Sequence, residues 1–534
     1  MASSALLEIL DKKWRQTCSI VLKGDIGPLE DYRAWLSERA DPLYAVPSSL
    51  SGKDVSFSSG NYCDGSKRLA LGEISFQEKA ASLPIDDLKD IDSLISSLQE
   101  RFSYAGDIVL GNCSSVEKST NVSDSHFIYG SSRIGDSKYI AYSSMARLCD
   151  HVFGTAAPGE SSYLIRCNDT YRLTRALELW MTCNSNDCYY VFAINNCTDC
   201  MFSFNLRGKH HCIGNAELPK DKYLSLKASL LEQMRGELVA KKRLPSLMDI
   251  IAKAPDEVKE AKRLLQGRLV KKEAEEKSVA PMEEAFRRTA KLLLGTELIG
   301  LENYKAWLAS RVPKGEMRKS VLTGKEIFVG NYAKYMTVPK GRTVLEDEAL
   351  ALLDAAPQPP DIEKITLETA HKFIGLSAFL SLDYHDGTNK NVVNCMAYAY
   401  SSNALFCAPC VQIKDSAYNW WPRSSEHLFG CGTVFDSAFC IHCYQSVKLN
   451  RCFEVDSSRD CADCYFCHNC ENVQNGIFCF NAKNLRYAIG NVEVGREKYL
   501  QAKALLMRRI VPALEGGKAP GLDIFNIACV GRKR

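Results

Sequence analysis

From Leu110 to Leu206, every third residue is Ser, Thr, Cys, Ala, Val, Ile, Leu or Pro, 33 positions without exception. From Val392 to Ala488 the pattern runs over another 33 positions, of which only Tyr398 and Asn419 are neither small nor aliphatic. None of these 66 positions is charged, although charged residues make up 25% of the chain and would take about sixteen of them. A period of three fits neither a helix face nor the strict alternation of a strand. It predicts very short strands broken by frequent turns, with one residue in three entering a narrow core that admits only slender side chains. The residues between, often Asn, Asp, Tyr and Phe, stand outward or at corners, where Asn and Asp tolerate left-handed backbone.

A longer period overlies this one. Leu428, Cys431, Val434, Ser437, Cys440, Cys443 and Ser446 are matched 21 residues later by Leu449, Cys452, Val455, Ser458, Cys461, Cys464 and Cys467. A short repeat nested in a longer one predicts stacked coils: a β-solenoid of ~21-residue coils, about five per stretch.

The two stretches belong to a tandem duplication. Leu29-Glu30-Asp31-Tyr32-Arg33-Ala34-Trp35-Leu36 recurs as Leu301-Glu302-Asn303-Tyr304-Lys305-Ala306-Trp307-Leu308. Gly60-Asn61-Tyr62 recurs as Gly330-Asn331-Tyr332. At an offset of 276, His151-Val152-Phe153-Gly154 matches His427-Leu428-Phe429-Gly430, and Ile213-Gly214-Asn215 matches Ile489-Gly490-Asn491. Each copy reads as an α+β cap, a cysteine-rich solenoid and a closing amphipathic helix, so the fold class expected is mixed α+β with β-solenoid. The boundaries are 1–109, 110–215 and 216–252 for the first copy and 283–385, 386–491 and 492–534 for the second, with a charged linker or helix over 253–282. Helical spacing is expected in Leu29–Leu36, Glu346–Leu353, 219–238 and 495–511, and a strand running into a turn in Lys325–Asn331.

Composition narrows the function classes. A chain of 534 residues suggests two to four domains. Its 46% apolar content is that of an ordinary globular protein, and a net charge of +3 makes no broad case for nucleic acid or anionic lipid. No run approaches the ~18–20 apolar residues of a membrane helix, and MASSALLEILDKKW lacks the pattern of a signal peptide. A cytoplasmic location is therefore expected. There the 23 cysteines would be reduced, metal-bound or catalytic rather than a disulfide framework.

The segment Gly476–Asn491, GIFCFNAKNLRYAIGN, followed by Glu497-Lys498-Tyr499, resembles a group of largely uncharacterised cysteine-repeat proteins of uncultivated bacterial and archaeal lineages. Those proteins carry Asn-Cys-Tyr-x-Cys-like strings that end in such a segment and a helix. The first copy ends similarly, in Met201–Leu206, Ile213-Gly214-Asn215 and Lys222-Tyr223. The resemblance implies an architecture and no established activity. The zinc-ribbon-like Cys pairs that precede the repeats in many of these proteins are absent ahead of both repeat regions here.

One cluster invites a metal. Cys461, Cys464, Cys467 and Cys470 follow one another at a spacing of three. All four occupy inward positions, and their counterparts in the first copy are Ser185, Cys188, Val191 and Ile194. Of the 19 cysteines within the two stretches, 18 keep the inward register and only Cys183 departs from it. The preferred reading is packed thiols, cysteine serving as a small polarizable hydrophobe. Disulfides across the core and a metal are the alternatives. Zinc on Cys461, Cys464, Cys467 and Cys470 is favoured over an iron–sulfur cluster because no Pro and no second run follows. The pairs Cys407/Cys410, Cys440/Cys443 and Cys197/Cys200 have CxxC spacing only as a consequence of the repeat.

Other candidates read as structural. His151 and His427 match between copies without a partner constellation, which points to a turn or surface role. His468, off the inward register, is expected to face solvent. Asp460 and Asp463 could form an acidic pair, but Asp460 aligns with Asn184, and turn capping is preferred. Tyr418, Trp420 and Trp421 read as surface or inter-domain packing rather than a sugar or base platform. Gly324-Lys325 lacks the spacing of a phosphate loop. The expectation is a non-enzymatic structural, scaffold or interaction protein in a larger assembly, with protein partners or self-assembly, no membrane and no strong nucleic-acid signal. No cofactor is favoured. A zinc-binding module contacting nucleic acid or protein is the alternative, and a carbohydrate-active β-helix enzyme a weaker one.

Overall fold

The computed structural model describes residues 5–76, 90–269, 277–331 and 337–530. Tyr332 and residues 270–276 of the expected linker lie outside the described residues. The protein is a mixed α+β structure with ten α-helices among the described residues, none long and apolar enough to cross a membrane.

Within the two repeat stretches the strands are mostly four residues long and, past the first lap of each, pair in parallel at an interval of twelve: Ile140 lies opposite Val152, Val152 opposite Leu164, Leu449 opposite Cys461 and Val455 opposite Cys467. The residue before nearly every inward position has a positive φ, from Ser115 (53°) to His211 (52°) and from Asn391 (53°) to Tyr487 (49°). Four such corners close one lap of the chain. The expected interval of ~21 is therefore not the pairing interval. Any multiple of three keeps a residue facing inward, but the corners bring the chain back over itself after twelve. A positive φ costs an L-residue roughly 1–2 kcal/mol, least for Asn and Asp and most for β-branched residues. Accordingly Thr433 is the only β-branched residue at these corners.

Inside each lap the inward residues form four columns. In the first winding two are aliphatic, such as Val116, Ile128, Ile140, Val152 and Leu164, and two carry hydroxyls and thiols. The polar columns are hydrogen-bonded along the axis: the N–H of Ser143 donates to Ser131 Oγ at 3.0 Å, and Thr155 N–H to Ser143 Oγ at 3.1 Å. Each hydroxyl donates to the carbonyl two residues before it, as Ser131 does to Tyr129 at 2.9 Å. A buried N–H at a corner, which ladder bonding does not reach, is satisfied by a side chain one lap away. This is why those columns accept Ser, Thr and Cys.

The helices cover the outer sides. The helix Ala5–Val21 lays Trp14 edge-on against Phe153 at 5.3 Å, and the helix Ala280–Leu294 sets Phe286 on Phe429 at 5.1 Å. The helices Lys220–Lys241 and Arg496–Glu515 follow the two windings. The last laps are covered crosswise. Asn205 donates to Phe379 O at 2.8 Å, while Asn481 donates to Ser103 O at 2.9 Å. Gly490 (φ 52°) meets Leu98 so closely that a Cβ there would stand 2.4 Å from Leu98 Cδ2.

The windings lie side by side in opposite directions. Asn121 and Asp124 meet Ser457 and Arg459 at 2.8 and 2.7 Å, whereas Asn195 meets Asp386 at 2.7 Å. Midway, Arg147 pairs with Asp436, and Arg423 with Glu160 at 3.2 Å.

Candidate functional site

The twelve-residue lap places the cysteine cluster. Cys461, Cys464, Cys467 and Cys470 sit on the four successive sides of one lap and enter the same cross-section of the core, each no more than 1% exposed. Cys452 and Cys479 are inward in the neighbouring laps. Local geometry engages every one of the four thiols. Sγ donates to the carbonyl two residues back: Cys461 to Arg459 at 3.2 Å, Cys464 to Ala462 at 3.4 Å, Cys467 to Tyr465 at 3.5 Å and Cys470 to His468 at 3.6 Å. Cysteine also takes over the serine role as acceptor, since Cys407 N–H donates to Cys395 Sγ at 3.3 Å and Cys443 N–H to Cys431 Sγ at 3.4 Å.

Packing is tight here. A Cβ on the inward Gly476 would come within 2.8 Å of Val473 Cγ1 and 3.3 Å of Cys464 Sγ. Burial pushes the Cys440, Cys443 and Cys470 thiols well up, and Cys149 in the first winding up to about 12, whereas at Cys467 burial is outweighed by hydrogen bonds from Cys464, Cys470 and Cys479, which draw that thiol well down. The thiols that burial pushes up are poor nucleophiles. Among the described residues no group of three or more His, Cys, Asp or Glu is arranged to hold a metal ion. The pairs Cys407/Cys410, Cys440/Cys443 and Cys197/Cys200 lie on adjacent sides of the core and are buried. The single disulfide among the described residues, Cys63–Cys529, joins positions 466 residues apart and lies outside both windings.

His468 corrects an expectation: it is wholly buried rather than facing solvent. It lies on the outer side of its lap, but the stretch Ser103–Gly106 covers that side. Nε2 accepts the Ala105 N–H at 2.9 Å, which leaves the proton on Nδ1, 2.9 Å from Asp456 Oδ2. Tyr62 and Ser457 donate to the same carboxylate oxygen at 2.7 and 3.0 Å. A second buried pair, His442 and Glu454 at 2.7 Å, holds the C-terminal segment through Glu454 Oε2 and the Ile524 N–H at 2.9 Å. Neither pair touches solvent, and both tie a winding to what covers it.

His151 and His427 are corner residues (φ 56° and 53°) in ladders of rings: His151 lies 4.9 Å from Tyr139 and 4.8 Å from Tyr163, and His427 4.5 Å from Phe439. Asp460 and Asp463 also occupy corners, and they point to different partners. Asp463 takes both guanidinium nitrogens of Arg451 at 2.8 and 2.6 Å, while Asp460 meets Arg459 at 3.0 Å. Tyr418 donates to Glu302 at 2.9 Å, and Trp420 is buried between elements. After Gly324-Lys325 comes a strand, Glu326–Val329.

The pairs across the seam between windings, Arg147–Asp436 and Glu160–Arg423, were not singled out from sequence. The signal was present: at the offset of 276, Arg147 corresponds to Arg423 and Glu160 to Asp436. No family model, no curated protein and no solved structure matches this chain.

Proposed function

We propose that the two windings are β-solenoids related by tandem duplication, and that the protein is a non-enzymatic, cytoplasmic scaffold that presents them to protein partners or further copies of itself. The observation that carries this reading is the reciprocity of the seam. Arg147 meets Asp436 as Arg423 meets Glu160, which is the exchange expected when two related units face each other about a two-fold axis. The interior supports it as well: its thiols and hydroxyls are spent on backbone groups.

The test is native mass spectrometry and electron microscopy of the purified chain with metal analysis on the same sample. Assembly or a captured protein partner, with metal near zero, is the expected result. A monomer with no partner counts against scaffolding, and two or more zinc or iron atoms per chain would overturn the packed-thiol core.

A further inference from the structure

Each closing helix seats one lysine on its winding in the same way. In the first copy Lys227, on the helix Lys220–Lys241, lies over the Tyr189 ring at 5.2 Å and donates from Nζ to Asp199 Oδ1 at 2.6 Å. Beside it Arg175 holds Asp187 through two nitrogens, at 2.9 and 2.5 Å. At the offset of 276 the second copy repeats the set. Lys503, on the helix Arg496–Glu515, lies over the Tyr465 ring at 4.5 Å, and Arg451 holds Asp463 at 2.8 and 2.6 Å. One member differs: Asn475 stands in the place of Asp199, at a corner of the same kind (φ 59° and 54°).

An amide cannot serve as the counter-ion that a carboxylate is. Among the described residues, the charged groups that face Lys503 are Asp463, whose two oxygens are taken by Arg451, and Arg451 itself. Burial draws the Lys503 amine below the ordinary lysine range, with Asp463 opposing the effect and Arg451 adding to it. Desolvation and a neighbouring cation are the two means by which a lysine is made nucleophilic, because both disfavour the ammonium, which has no lone pair. A carboxylate in contact does the reverse. Access differs in the same sense: Lys503 is half-buried, whereas Lys227 is 8% exposed.

We propose that Lys503 is a site of acylation by acyl thioesters, with Lys227 as its unreactive counterpart. The Nζ lone pair attacks the thioester carbonyl, the amide C–N bond forms and the C–S bond breaks. The proton lost from nitrogen leaves with the thiolate as free thiol. The product is a neutral amide over Tyr465, so the half-buried place that disfavours an ammonium accepts it. This goes beyond the scaffold reading and does not require it.

The experiment incubates the full chain with acetyl coenzyme A near neutral pH and follows acetylation of Lys503, Lys227 and the exposed Lys518 by peptide mass spectrometry. Lys503 is expected to react about 10-fold faster than Lys227, the factor that one pKa unit supplies, and faster than Lys518. Asn475→Asp, which restores the carboxylate of the first copy, is expected to bring Lys503 down to the rate of Lys227. No acetylation of Lys503, a rate no higher than that of Lys227 or Lys518, or an unchanged rate in Asn475→Asp would each overturn the proposal. Should Asn475→Asp fail to fold, the pH profile of the wild-type chain decides. Acetylation of Lys503 must level off at a lower pH than that of Lys518, and coincident profiles overturn the site.

Discussion

Ser143 tests the physical account of the interior. It is 1% exposed; its Oγ donates to Ala141 O at 2.9 Å and accepts the Thr155 N–H at 3.1 Å. Ala141 O also receives the Gly154 N–H at 3.1 Å, so Ser143→Ala leaves one orphan, the buried Thr155 N–H. An unsatisfied buried donor costs about 1–3 kcal/mol, and the methyl-sized gap adds little. Ser143→Cys keeps an acceptor in the same place, as Cys395 and Cys431 do elsewhere, and should cost under about 1 kcal/mol. Ser143→Val fills the space without an acceptor and should resemble Ala, which separates the hydrogen bond from packing. Urea unfolding midpoints of the three variants, with amide exchange at Thr155, make the comparison. Equal midpoints and equal Thr155 exchange for Ala and Cys would refute the idea that inward polar atoms hold the laps together.

Three further outcomes follow from the geometry. At the exposed corner Asn472 (φ 53°), Val should lower stability by about 1–2 kcal/mol while Gly stays within a few tenths, read by thermal unfolding; parity between them would remove the corner argument. Reducing Cys63–Cys529, or Cys529→Ser, should speed amide exchange at Ile524 and Phe525, which pack against Glu454, Tyr62 and Tyr444, and leave the windings unchanged; identical exchange would show the disulfide to be dispensable for that segment. Burial, with nearby Glu346, pushes Asp383 up to about 7, and hydrogen bonding to Glu346 raises His385. Both pKa values lie above those of the unfolded chain. Their contribution is therefore full at low pH and lost as pH rises through 7, by at most about 1.4 kcal/mol per pH unit for each group. Stability should fall between about pH 4 and 7, and Asp383→Asn should flatten the slope; an unchanged slope would assign it elsewhere.

The period of three was legible because the narrow core excludes charge and bulk from one residue in three, whatever surrounds it. The corners left a signal too, since a positive φ rejects β-branched residues, and Thr433 is the lone exception. Lap length was harder to read. Cys431 and Cys452 look alike at a spacing of 21 because both face inward, whereas the pairing partner of Leu449 is Cys461, twelve residues on. Register alone also misplaced His468. A residue outside its own winding's core can still be buried by Ser103–Gly106, more than three hundred residues away in the chain.

The repeat by itself determined which side chains enter the core, where the corners fall, and that Cys461, Cys464, Cys467 and Cys470 belong to that core. These follow from local sterics, which act between neighbours along the chain. Only the tertiary structure decided that the windings run in opposite directions and that each last lap is covered by the other half. Those features depend on contacts between residues hundreds of positions apart, and no local periodicity records them.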